Sequence, residues 1–126
     1  MNVHAVAQSA YRANVRTLKS ARDIEYDVIA RITRQMQAAI AQTDQSAFPA
    51  LAAAIVENNK LWTAFAVDLS DSGNGFPQQL RAQLFYLAEF VMQHSDKVLK
   101  GTAAPDVLVD INLSIMRGLS GKVALL

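Results

Sequence analysis

The chain has no cysteine, which removes disulfides, thiol nucleophiles and Cys-ligated metals from consideration. Its two histidines, His4 and His94, stand far apart, and neither has another His, Asp or Glu near it at metal-ligand spacing. No metal and no cofactor is expected. No segment approaches the ~18 consecutive apolar residues of a membrane span. The N-terminus lacks a basic segment followed by a continuous apolar run. The expected location is therefore the cytoplasm. Charge is also scarce, at 18% of residues against 52% apolar, where an average domain has about 25% charged residues. A domain this short of charge cannot easily cover itself with polar groups. It is either a compact helical protein rich in surface alanine, or it carries an apolar patch that a partner or a second copy covers. The net charge of +1 excludes a general polyanion binder.

What is present reads as one domain over residues 1–126, long enough to bury a real core. Apolar spacing predicts five helices and no strand, without internal repeats. The first runs from about Val3 to Leu18. Ser20 looks like the N-cap of the second, with Asp23 placed to suit the positive helix end. In that helix Ile24, Val28, Ile32, Met36 and Ile40 recur every four residues. Phe48, Leu51, Ile55, Trp62, Phe65 and Leu69 mark the third, with Pro49 tolerable in its first turn. Gly73-Asn74-Gly75 is expected to stop it, since both residue types accept the left-handed conformation. Pro77 opens the fourth helix, lined by Leu80, Leu84, Leu87, Val91 and Val98 and widened by Phe85, Phe90 and Met92; Gly101 ends it. Pro105-Asp106 starts the fifth, through Leu108, Ile111, Ile115 and Leu119. Short loops between long helices imply a compact antiparallel bundle. The apolar tail Val123-Ala124-Leu125-Leu126 is expected to fold back on the bundle or to close a groove.

Chemistry is hard to find in this pattern. Asp68, Asp106 and Asp110 lack the partner and pocket that acid–base work needs. Ser114 and Ser120 lack a nucleophile context, and the one Gly-rich stretch follows a helix instead of a strand. An enzyme is not expected.

Four features stand out instead. Asn58 falls between Ile55 and Trp62 on an apolar face, where an unpaired amide costs about 1–3 kcal/mol. It can bond inside the bundle or to a partner's backbone, or the helix can be rotated so that Asn59 and Lys60 share the exposed edge. Asn112, beside Ile111, poses the same problem, and the two amides can bond each other or a neighbouring backbone. Internal bonding is the favoured reading for both. Asp68 and Arg81 flank one loop, each at the wrong end of its helix for the dipole. A structural pair between them relieves both, with Arg81 as a partner anchor the alternative. Trp62 and Phe65 read more readily as core than as binding site.

Residues 58 to 91 also carry a family likeness. Asn58-Leu61-Trp62, Asp68-Leu69, Phe76-Pro77, Leu80-Arg81-Ala82-Leu84 and the late Ile111-Asn112-Ile115-Met116-Gly118-Leu119 together resemble the FlaF family, flagellar biosynthesis regulators of alphaproteobacteria. An early Ala10-Tyr11 and Arg22-Asp23-x-Glu25 extend the likeness over nearly the whole chain. Lys60 and Leu113 depart from the family's frequent residues. The resemblance implies a non-enzymatic factor that binds cytoplasmic flagellin and promotes its production and secretion in a chaperone-like way. Flagellin's terminal amphipathic helices pair only in the filament, so a bundle with spare apolar surface suits them before export. The expected groove is bordered by the third and fifth helices, with Lys60, Trp62, Phe65 and Met116 near it. Asn58, Arg81 and Asn112 are the other candidate partner-binding residues. The alternative is a post-transcriptional regulator that acts on flagellin mRNA or as an adaptor for FlbT. Arg12, Arg16, Lys19, Arg22, Arg31 and Arg34, with Tyr11 and Tyr26, favour RNA, but the interspersed acids and the lack of an RNA-module signature oppose direct contact. A homo-oligomer is compatible with the same surplus of apolar surface.

Overall fold

The structure is a computed structural model that describes residues 26–71 and 73–119. The expected helix over 3–18, the Ser20 cap, the Ala10-Tyr11 and Arg22-Asp23-x-Glu25 segments and the apolar tail lie outside the described residues. Those residues form helices and no strand: α1 over 26–41, α2 (Ala47–Ser70), α3 (Gln78–Leu99) and α4 (Asp106–Leu119). The all-α class holds, with four helices described where about five are expected.

The interior face of α1 is Ile29, Ile32, Thr33, Met36 and Ala39, while Ile40 is exposed. A strict four-residue spacing drifts about 40° per step on a helix of 3.6 residues per turn, so Ile40 has rotated off the stripe that Ile32 and Met36 occupy. In α2 the buried positions are Ala54, Ile55, Asn58, Trp62 and Leu69. In α3 they are Ala88, Val91, Ser95 and Val98. Leu108 and Val109 complete a shared core with Met36 and Trp62.

Loop chemistry sets where the helices stop and turn. Ser46 precedes α2 without capping it through its side chain. Its hydroxyl and its backbone N–H both donate to Asp44 Oδ1, at 2.6 and 3.0 Å. These bonds, the hydroxyl's first, hold the Asp44 carboxyl below its ordinary range. Past Ser70 the chain ends α2 by turning extended at Asp71 (φ −70°, ψ 130°). The left-handed stop expected at Gly73-Asn74-Gly75 is not used: among the described residues only Gly101 has positive φ, at 77°. There Gly101 N–H donates to the Val98 carbonyl and Thr102 N–H to the Lys97 carbonyl, at 3.0 and 2.9 Å. That double bond pattern closes α3 in a Schellman motif, which a Cβ at position 101 would strain.

Adjacent helices run antiparallel. Leu69 meets Arg81, and Thr63 meets Met92 further back along α2, so α3 retraces α2. Thr33 meets Asn112 and Ile29 lies with Ile115, so α4 runs against α1. Among the described residues, no Cα of α2 comes within 8 Å of one of α4. Only long side chains bridge that gap, and the site lies there.

Candidate functional site: a pocket over a buried amide network

Asn58 and Trp62 are one turn apart on α2 and point the same way, toward the middle of α4. Asn112 meets them as a hub. Its Nδ2 donates to Asn58 Oδ1 at 2.8 Å and to Thr33 Oγ1 at 3.1 Å, while its Oδ1 accepts from Trp62 Nε1 at 2.9 Å. Thr33 Oγ1 in turn donates to the Ile29 carbonyl at 2.6 Å. Asn58 and Asn112 are both 0% exposed, Thr33 2% and Trp62 3%. In such a dry setting each bond is electrostatically strong and each unmade bond is costly. One donor, Asn58 Nδ2, has no partner. The hub therefore belongs to Asn112 and not to Asn58, and it ties α1, α2 and α4 in one register.

Against this network lies a pocket of about 190 Å³, walled by Ile29 of α1, Leu61, Trp62, Phe65 and Asp68 of α2, and Asn112 and Ile115 of α4. Trp62 and Phe65 meet edge to face, ring centroids 5.6 Å apart at 88°, a favourable aromatic geometry. The polar atoms of Asn112 are all engaged, so the floor asks for no hydrogen bond. Among the described residues Asp68 is the one charged lining residue. Cavities of ~150 Å³ with apolar linings admit a benzene-sized group. This pocket therefore suits one apolar side chain and not a whole helix.

The candidate residues separate accordingly. Asn58, Trp62 and Asn112 come together as interior groups, all three buried. Trp62 and Asn112 form pocket wall, and Phe65 is half-buried beside them. Lys60 stands apart on the exposed side of α2, paired with Glu57 at 3.3 Å. Met116 is half-buried on α4 and is not a pocket wall.

Arg81 lies at the other end of α2. The expected Asp68–Arg81 pair is not formed. Arg81 Nε donates to the Leu69 carbonyl at 3.0 Å and its Nη2 to the Asp71 carbonyl at 3.4 Å. Asn74 Nδ2 serves Asp68 instead, through its carbonyl at 3.2 Å and Oδ2 at 3.4 Å. The reason is reach: from the first turn of α3 the guanidinium extends back to the carbonyl end of α2, the negative end of that helix. Its position is favourable once α2, and not α3, is taken as the helix it serves.

Thr33, Ile29 and Ile115 were not singled out by sequence reasoning as site residues. A Thr on the apolar stripe of α1, one turn after Ile29, was the available signal for the first. His94 sits outside the site, its Nε2 2.7 Å from the Ala104 carbonyl and its ring stacked on Phe90. Among the described residues there is no cluster of His, Cys, Asp and Glu able to hold a metal, and no helix is long and apolar enough to cross a membrane.

Compared with known proteins, the chain matches the family model described as flagellar protein FlaF over residues 7–119. No curated protein and no solved structure matches.

Proposed function

Because the chain belongs to the FlaF family of flagellar proteins, we propose that it serves flagellum biogenesis by binding flagellin in the cytoplasm and promoting its production and secretion as a chaperone-like factor. The observation that carries this reading is the apolar pocket between α2 and α4, beside Trp62 and Phe65. A pocket of that size takes one side chain of an amphipathic helix as an anchor. Burying a Leu or Phe side chain contributes about 2–3 kcal/mol, whereas micromolar affinity requires roughly 8 kcal/mol. The anchor must therefore be supplemented by further apolar contacts along the helix, and the half-buried Leu61, Phe65 and Ile115 around the pocket supply them. An interface of one anchor and a modest surround releases its cargo readily, as delivery to an export gate requires.

The test is calorimetric titration of the full chain with monomeric flagellin, alongside flagellin truncated at either end. Saturable micromolar binding with a negative heat-capacity change is the expected result, with one truncation abolishing it. No binding in the micromolar range overturns direct flagellin binding and shifts the reading to FlbT or flagellin mRNA. A steep loss of RNA affinity with added salt would identify the latter.

A further inference from the structure

We propose that the outward face of α3 is a self-association surface that takes a second copy of this chain, antiparallel, about a two-fold axis at Phe85 and Tyr86. The inward face of α3 is Ala88, Val91, Ser95 and Val98. On the opposite side, at helical spacing, lie Ala82, Phe85, Tyr86 and Glu89. Phe85 is 40% exposed, Tyr86 72% and the neighbouring Phe90 37%. Aromatic residues are only 7% of the chain, so three on the outer side of one helix within six positions form a patch and not a scatter.

Charge placement selects the occupant. Arg81 and Glu89 lie four residues to either side of Phe85. A two-fold axis through Phe85 exchanges these positions, so Glu89 of the other copy approaches the Nη1 side of each Arg81, whose Nε and Nη2 stay on the Leu69 and Asp71 carbonyls, while the aromatic rings pack on their own images. A parallel copy sets like charge against like. At the far end of α3 Lys100 is already paired with Asp96 at 2.8 Å, so the Arg81–Glu89 exchange alone carries this orientation. This self-complementarity is what an isologous contact requires, and a partner of unrelated sequence has no need of it. The face from Gln78 to Glu89 is about 17 Å long, which makes a small interface and a weak, concentration-dependent dimer.

Sedimentation equilibrium of the full chain across the micromolar range tests this. The expected result is a monomer–dimer equilibrium whose dissociation constant rises about tenfold or more in Tyr86→Asp and in Glu89→Arg, with helical circular dichroism unchanged because both side chains are exposed. The absence of cysteine adds a second readout. Under mild oxidation Tyr86→Cys should crosslink to a symmetric disulfide dimer, and Val67→Cys, on the exposed side of α2, should not. A monomer at every concentration, a dimer indifferent to both surface substitutions, or an open-ended series of oligomers overturns the proposal.

Discussion

Replacing Asn112 with Leu tests the buried network most directly, because Asn112 serves three partners at once. Leu has the same branched outline and is somewhat larger, so no cavity opens and the main loss is polar. Trp62 Nε1 loses its only acceptor, at about 1–3 kcal/mol for an orphaned buried donor. Asn58 Oδ1 loses its donor at a similar cost, leaving the whole Asn58 amide unpaired. Thr33 keeps its bond to the Ile29 carbonyl and adds little. The sum is a loss of about 2–6 kcal/mol, a large share of the ~5–15 kcal/mol that a domain typically has. The companion variant Asn58→Leu should behave differently. Asn58 makes one side-chain bond and already carries an unpartnered Nδ2. Its removal deletes that orphan and leaves one N–H of Asn112 Nδ2 unpaired in exchange, while Asn112 keeps Thr33 and Trp62, so the two polar changes offset and the expected change is within about 1 kcal/mol of neutral. Denaturant unfolding followed by circular dichroism and by the fluorescence of the sole tryptophan measures both variants. Equal costs for the two would refute the assignment of Asn112 as hub, as would a loss below about 1 kcal/mol for Asn112→Leu.

Other predictions concern the turns and the pocket. Gly101→Ala should cost about 1 kcal/mol, roughly 5 °C in Tm, through backbone strain alone, since a Cβ there meets nothing within 4 Å; Gly75→Ala, which needs no positive φ, should be neutral or slightly stabilising. The Asp44 carboxyl, followed by NMR, should titrate below its ordinary 3.8, and Ser46→Ala should move the midpoint part of the way back, because the backbone N–H bond remains. A folded-state pKa that is lowered contributes stability above the unfolded value and loses it as pH falls through the folded one, so the Asp44–Ser46 contribution should fade only on acidification below that range. Ala64→Trp, at an exposed position on the pocket's edge, should leave thermal stability intact and weaken flagellin binding about tenfold or more; unchanged affinity would remove the pocket from the binding surface.

Among the described residues the helices and most of their limits were legible in the sequence because the forces that set them are local. Apolar spacing, three prolines placed at or near helix starts and one glycine at the end of α3 act within a few residues of where they stand. The same locality explains why Asn58 and Asn112 could be recognised as buried amides needing partners: each sits on an apolar stripe that its own neighbours define. Gly73-Asn74-Gly75 misled for a related reason. Left-handed capacity in a residue is permission and not a requirement, and an extended Asp71 ended the helix first.

Tertiary structure decided everything that depends on distance between segments far apart in the chain. That Asn112 and not Asn58 is the hub follows from where Thr33 and Trp62 fall across the bundle, separated from it by 79 and 50 residues. Arg81 chose carbonyls over Asp68 because side-chain reach and the direction of α2 put the negative helix end nearer than the carboxylate. The pocket exists because α2 and α4 stand apart while Trp62 and Asn112 span the gap, and spacing between helix axes is a property of packed volumes that no single helix encodes. Which faces are apolar is written in residue spacing along each helix; which of those faces are sealed and which stay open depends on how the helices pack.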